Sequence, residues 1–424
     1  MTNLRQGAGG QAADRQPLPT DTELSTSSNP RDRWRALSAA FFGWMLDGYD
    51  YTILTFVLIE IQQEFSMTAA EAGALGTVTL VARLAGGGLA GAAADRWGRK
   101  KPLMLSILWF SVFSFLSGFS TSYSVLLFCR ALFGLGMGGE WAAGMPLVME
   151  HWPPRLHGVV SGIVQGAFSW GFILAAAVVQ FGYPAISDQP WGWRALLWSG
   201  LAPALFVLWV RQGVPESPAW LAGVRSKPSD SSWRESIKGA FPLGPTLLLG
   251  TMMFGYQAVS FWYGTLVRSE GLTVLPHVVA LNAGGIAGAA FWGAAAGTRL
   301  GPAGAIAPGS LLAIGSLPAF LISSSASGLL ASGFLLGLSI GGIIGVAPIF
   351  IARTFPPERR GYSGGIVYHA AAATGAIAPV VLGALMDEGW RVRDAMAICA
   401  IGAMVAAIVL ALRARFASRS AAAG

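Results

Sequence analysis

Long apolar runs broken by short polar turns recur along the chain at 36–60, 72–94, 102–122, 124–148, 158–181, 194–212, 243–267, 277–298, 303–323, 326–351, 361–386 and 391–413. Each is about 20 residues, enough to carry a helix across roughly 30 Å of hydrocarbon, where a helix satisfies its own backbone without water. The pattern predicts twelve membrane-spanning helices in two groups of six, 34–212 and 242–414, joined by a polar linker at 213–241. Residues 1–33 are rich in Gly, Pro, Ser and Thr and hold no apolar run that could act as a signal sequence, so they read as a disordered tail. A second short tail covers 415–424.

The two groups are copies of one another. The stretch RALFGLGMGGEWAAGMPLVMEHWPPRLHGVVSGIV, Arg130 to Val164, returns as GFLLGLSIGGIIGVAPIFIARTFPPERRGYSGGIV, Gly333 to Val367. At an offset of about 203 positions, Gly134, Gly138 and Gly139 meet Gly337, Gly341 and Gly342, and Pro153, Pro154, Gly158 and Gly162 meet Pro356, Pro357, Gly361 and Gly365. Each copy reads as one apolar helix, a polar turn with a Pro pair, and a second Gly-rich helix. The chain is therefore expected to be an all-α integral membrane bundle built by duplication.

Composition agrees: 54% of the 424 residues are hydrophobic, 12% are charged, and the mean hydropathy is +0.56, too apolar for a soluble domain of that length. The net charge of +7 could suggest nucleic acid, but its placement argues otherwise. Lys and Arg crowd the tail, the turn after the second span and the central linker, whereas the opposite side has only Arg194, Arg268, Arg391 and Arg393. By the positive-inside rule both termini and the linker face the cytoplasm, which makes this a multi-pass inner-membrane protein with the lipid bilayer, not nucleic acid, as its partner. Cys129 and Cys399 both lie in apolar segments and fit packing roles, with no disulfide framework or metal spacing. His151, His157, His277 and His369 are scattered and no Cys accompanies them, so neither a metal site nor an enzyme's catalytic cluster is expected.

Ionisable side chains at bilayer depth cost on the order of 3 kcal/mol on insertion scales and persist where they face a cavity or a partner. Asp47 and Asp50 lie near the middle of the first helix, and their i, i+3 spacing puts both on one face. Two carboxylates that close repel each other, which suits the pair to taking up and releasing a proton; a structural salt bridge to Arg83 or Arg130 is the alternative. Glu140, midway along the fourth helix in a Gly-rich run, either carries a proton or pairs with an Arg. Arg83 is the candidate to hold an anionic substrate, since guanidinium grips carboxylate bidentately, or else it is a structural partner of Asp47 or Asp50. Further candidates for the substrate site are Arg130, Gln165, Tyr256, Gln257, Asn282, Tyr368 and His369, a polar and aromatic wall suited to a small organic acid. His369 reads either as a packed hydrogen-bonding residue or as a proton carrier.

Several motifs resemble those of the major facilitator superfamily. After the second span comes Gly91-Ala92-Ala93-Ala94-Asp95-Arg96-Trp97-Gly98-Arg99-Lys100, similar to the superfamily's cytoplasmic loop signature G-x-L-A-D-R-x-G-R-K, with Ala at the Leu site. Physically, Asp95 can sit near a neighbouring helix N-terminus and pair with Arg99, a latch on one closed conformation made by Gly91, Asp95, Arg96, Gly98, Arg99 and Lys100. Arg130-Ala131-Leu132-Phe133-Gly134-Leu135-Gly136 resembles the fourth-helix signature R-x-x-x-G-x-G of proton-coupled members, and the fifth helix lacks the Gly-Pro pair of antiporters. Leu46-Asp47-Gly48-Tyr49-Asp50, Arg83, Gly138-Gly139-Glu140-Trp141, Gly192-Trp193-Arg194 and Pro215-Glu216-Ser217-Pro218 together resemble the sialate:proton symporter branch, which also holds lactate and pyruvate permeases. Many relatives carry a base in the eleventh helix where this chain has Tyr368-His369-Ala370, a departure that bears on substrate identity.

The resemblance implies the major facilitator fold, with a substrate site near the midplane between two six-helix domains and alternating access by rocking. It implies proton-coupled uptake of a small organic anion, a monocarboxylate such as lactate or pyruvate, with sialic acid or an aromatic acid as alternatives. The proton gradient would be the energy source, no cofactor is needed, and a monomer is expected. A non-transporting solute sensor is the alternative of another class, and the short polar tail and linker leave it little room for a signalling module.

Overall fold

The structure, a computed structural model, describes residues 29–153, 156–223, 243–323, 325–354 and 357–423. Most of the tail and linker expected from the sequence lies outside these residues. Every regular element among them is helical. The first half comprises α1 (Pro30–Phe56), α2 (Leu58–Phe65), α3 (Ala69–Trp97), α4 (Lys100–Ser117), α5 (Tyr123–His151), α6 (His157–Phe181), α7 (Gly192–Trp198) and α8 (Ala202–Gly213), followed by the short α9 (Pro218–Gly223). The second comprises α10 (Leu243–Ser269), α11 (Val274–Gly297), α12 (Gly301–Ile322), α13 (Ala326–Leu336), α14 (Ala347–Thr354), α15 (Pro357–Gly375), α16 (Ala378–Asp387) and α17 (Val392–Ala423).

Each apolar run of the sequence maps onto one of these helices or onto a broken pair. Nine stretches among the described residues are long and apolar enough to cross a membrane by length and composition. The three remaining spans, α1, α4 and α10, are the more polar ones: α1 carries Asp47 and Asp50, α4 opens on Lys100 and Lys101, and α10 carries Tyr256, Gln257 and Arg268. Breaks follow local chemistry. A single turn of 3-10 helix at Ser199–Leu201 separates α7 from α8, and Pro203 in the first turn of α8, like Pro379 in that of α16, sits where its missing N–H costs nothing.

Two boundaries differ from the sequence expectation. The first helix starts at Pro30, capped by the Asn29 side chain, which accepts from the Arg31 N–H at 3.0 Å, and so begins inside the expected tail. The last helix runs on to Ala423 through the expected C-terminal tail. A larger difference lies in the tenth span, where the second copy of the repeat is not one continuous α-helix. Gly337–Gly341 is a π-helical turn and Gly342–Val346 is 3-10, whereas the equivalent first copy stays α throughout Tyr123–His151. Glycine content does not set this stretch apart, since the first copy carries Gly134, Gly136, Gly138 and Gly139 and stays α; a π turn of this kind commonly marks a functional position.

Close backbone approach holds each half together. A Cβ at Gly134 would strike the Thr79 carbonyl, and one at Gly138 the Arg83 carbonyl. In the second half Gly337 meets the Leu281 carbonyl in the same way. Thus α3 lies against α5, and α11 against the tenth span, with small residues letting the backbones touch as they do in lipid, where packing replaces the hydrophobic drive. At the end of the bundle where α1 finishes, the halves also grip each other. Arg268 of α10 holds Glu60 of α2 through both carboxylate oxygens (3.0 and 2.5 Å), and the Asp387 carboxylate of α16 accepts the first two N–H groups of α3, Ala69 and Ala70, at 2.7 and 2.9 Å.

Gly134→Ala and Gly337→Ala should each destabilise the protein by about 1–3 kcal/mol through overpacking against a carbonyl. Gly402→Ala, which meets nothing within 4 Å, should not. Thermal unfolding in detergent checks this as two lowered midpoints beside an unchanged one.

Candidate functional site

A cavity of about 160 Å³ lies between the halves. Of the residues expected to bind substrate, Arg83, Gln165, Tyr256, Gln257, Asn282 and Tyr368 line it, and the π and 3-10 stretch of the tenth span closes one side. Three aromatic wall residues were not anticipated: Trp44, Phe168 and Phe172. Trp44 lies three positions before Asp47, and that spacing on one helical face is the signal that could have found it. The other two expected residues stand behind the wall. Arg130 is wholly buried, with Nη1 donating to the Asp50 carbonyl at 3.4 Å and its guanidinium 5.0 Å from the Phe133 ring. His369 packs against Gly87 and, at right angles, against Trp141, 5.4 Å between ring centroids, and neither of its nitrogens has a hydrogen-bond partner among the described residues.

The buried charges sort into two groups. Arg83 is the cation facing both Asp47 and Glu140, whereas Arg130 faces Asp50. Asp47 and Asp50 remain electrostatic neighbours, as their spacing predicted, yet each looks toward a different arginine. None of these side chains forms an ion pair within 4.0 Å among the described residues. Among the described residues, both carboxylate oxygens of Asp47 and Nε and Nη2 of both arginines have no hydrogen-bond partner, and Asp50 has the Ser114 hydroxyl as a polar neighbour beside it. Leaving charged groups this incompletely satisfied is costly, and the group is not a closed salt bridge. Glu140, 2% exposed, is accommodated by Gly43 and Gly144, beside which its carboxylate lies. Arg83 is 5% exposed, and Trp44 lies under its guanidinium at 4.6 Å, holding the cation flat while leaving its edge free.

One contact crosses the halves beside the cavity. The rings of Trp141 and Tyr368 stack face to face, 4.6 Å apart and 1° from parallel. Gln165 ties the stack: Trp141 Nε1 donates to its Oε1 at 3.3 Å and its Nε2 donates to the Tyr368 hydroxyl at 3.4 Å. Gln165 and Tyr368 are 203 positions apart, the offset of the duplication, so they are equivalent residues that meet each other. Such a pair must sit on the pseudo-two-fold axis between the halves.

The expected latch is an arrangement at the ends of the first-half helices. Gly98 has φ +91°, a left-handed backbone that favours glycine, and a Cβ there would collide with the Glu216 carboxylate. That carboxylate accepts from the Arg99 N–H at 2.8 Å and the Lys100 N–H at 3.2 Å, capping α4. Arg99 also reaches Glu150 at 3.3 Å, and Ser217 donates to the same carboxylate. Gly91 meets nothing and Arg96 is exposed. The Asp95 side chain lies outside the described residues.

Gln165→Leu should loosen the Trp141–Tyr368 clasp by removing both of its tethering hydrogen bonds. With Cys129→Ser and Cys399→Ser in place and Ser260→Cys as a reporter on the cavity wall, the variant should react faster with a thiol reagent applied at the clasp end. An unchanged rate would show that the stack alone holds that end.

Residues 40–328 match the Major Facilitator Superfamily. The chain is 32% identical to the sialic acid transporter NanX of Escherichia coli over 83% of this chain and 87% of that one. It is likewise 32% identical to a probable 4-methylmuconolactone transporter of Cupriavidus pinatubonensis, over 82% of each. The fold is similar to that of the xylose transporter XylE from E. coli in a partially occluded inward-open structure, with a TM-score of 0.68 at 17% identity over 90% of this chain and 98% of the other. With two copies of a six-span unit closed around a central cavity, and these matches along most of its length, the chain belongs to the Major Facilitator Superfamily and is a multi-pass membrane transporter, not an enzyme.

Proposed function

We propose that the protein imports a small organic carboxylate together with a proton across the bacterial inner membrane, with both termini in the cytoplasm and the proton gradient as its sole energy source. The observation that carries this reading is Arg83, almost wholly buried on the cavity wall, with two guanidinium nitrogens unpartnered and Trp44 beneath it. A guanidinium so placed takes a carboxylate bidentately, in a dry setting where the contact is strong.

The coupling follows from competition. When Asp47 or Glu140 is ionised it compensates Arg83 and lowers the pull on an anion; when they are protonated, the positive charge of Arg83 is available to substrate. Proton and anion therefore enter together, and the loaded cavity is close to neutral, which allows it to close and reopen on the other side. Asp50 with Arg130 forms a second group farther from the cavity that tunes the first through the repulsion between the two aspartates.

The wall chemistry favours a planar substrate over lactate or pyruvate. Trp44, Phe168, Phe172 and Tyr256 offer flat apolar surface, and Gln165, Gln257 and Asn282 offer hydrogen bonds around it. An unsaturated or aromatic acid uses both, and the similarity to a muconolactone transporter is in keeping with that choice. Sialic acid is the second reading: the same amides suit its hydroxyls, and NanX is among the relatives.

Proteoliposomes with a pH-sensitive dye inside decide among these. Interior acidification on adding muconate or benzoate is the expected result; acidification with sialic acid alone favours the second reading, and silence with every carboxylate overturns the proposal. Arg83→Lys should weaken carboxylate affinity roughly 10- to 100-fold, the loss of a bidentate charge-assisted pair, while retaining the charge. Asp47→Asn should abolish accumulation driven by an imposed pH gradient yet preserve counterflow exchange, and wild-type accumulation should fall as external pH rises toward the internal value.

A further inference from the structure

A second cavity of about 500 Å³ opens on the outer, lipid-facing surface between α3, α4 and α5, away from the substrate site. Its floor exists because glycines bring backbones together: Gly86 abuts the Leu135 carbonyl, and Gly136 lies against the α4 backbone at Phe110. The small side chain of Ala93 on α3 leaves the trough open, and Leu105 and Trp109 form its opposite wall. Trp109 is a fixed wall, since its Nε1 donates to the Leu132 carbonyl of α5 at 2.8 Å.

One end of the trough differs from the rest. Arg96 and Lys101 line it there with Trp97 beside them, and no acidic residue is among the described lining side chains. Both cations are exposed, and neither forms an ion pair among the described residues. An apolar trough that runs along the membrane-facing side of helices and ends in two exposed cations and an interfacial indole has the polarity of a phospholipid: chain in the trough, phosphate at the basic end.

We propose that this trough binds one anionic phospholipid, its acyl chain between α3 and α4 and its headgroup on Arg96 and Lys101. The charge pattern decides against a zwitterionic lipid, whose ammonium would meet the same cations. The bound lipid ties the last turn of α3 to the first turn of α4, on either side of the Gly98 turn.

The test is native mass spectrometry of the full-length protein titrated with equimolar phosphatidylglycerol and phosphatidylcholine. One phosphatidylglycerol should be retained per chain with a preference of roughly 30-fold, as two cations near an anionic headgroup produce. Arg96→Gln with Lys101→Gln should reduce that preference to near unity. Ala93→Trp should lower retention of both lipids roughly tenfold by filling the trough, and Leu105→Trp does so from the opposite wall should the first variant fold poorly. Preference unchanged in the charge variant, or retention unchanged in both trough variants, overturns the proposal. Displacement of the lipid by excess glycerol 3-phosphate would also overturn it, by showing a phosphate site with no use for the chain.

Discussion

Everything in this molecule depends on backbones being allowed to touch inside the bilayer. Where Gly134 and Gly138 of α5 lie on the Thr79 and Arg83 carbonyls of α3, no side chain intervenes, and the register of the two helices is set to within an atom's width. That register delivers Arg83 to the cavity wall. The duplicated half repeats the contact, with Gly337 on the Leu281 carbonyl and Gly341 on Gly285, so the position equivalent to Arg83 is itself glycine. One scaffold thus supplies two symmetrical walls but only one cation, and the second half contributes amides and aromatic rings.

Burying Arg83, Arg130, Asp47, Asp50 and Glu140 in hydrocarbon would be untenable if each were isolated, and tying them into tight ion pairs would leave nothing for a solute to do. The structure takes a middle course. Opposite charges face each other without hydrogen-bonded contact, so the attraction keeps the fold viable while the unsatisfied atoms remain available.

The two ends of the halves are held differently. At one end polar ties cross the interface: the Arg268–Glu60 pair, the Asp387 cap on α3, Thr265 Oγ1 donating to the Thr55 carbonyl at 3.1 Å, and the Val274 N–H donating to Gln180 at 3.2 Å. Each such bond is worth about 1 kcal/mol net, so opening that end needs an alternative set of contacts elsewhere. At the clasp end the crossing contacts among the described residues are the Trp141–Tyr368 stack, the packing of His369 against Gly87 and Trp141, and weak, long hydrogen bonds through Gln165, a residue that also faces the cavity. A solute that engages the Gln165 amide competes with the clasp directly.

The architecture was legible in the chain alone. Length and charge placement of the apolar runs dictate helical spans in lipid because a helix of about 20 residues satisfies its own backbone there, and the repeat from Arg130 to Val164 exposed the duplication. The chain alone also singled out the intramembrane charges, since an ionisable residue there needs a reason. Tertiary structure alone decided how those charges are divided. Asp47 and Asp50 share a helical face, but which arginine each meets depends on where α3 and α5 bring Arg83 and Arg130, and that is set by glycine contacts between segments some 50 positions apart. Phe168 and the Trp141–Tyr368 stack were equally hidden, because an aromatic residue in an apolar run reads the same whether it faces lipid, core or cavity. The break in the tenth span was hidden for a related reason: its glycines match those of the unbroken fourth, and only the packing around them tells the two apart.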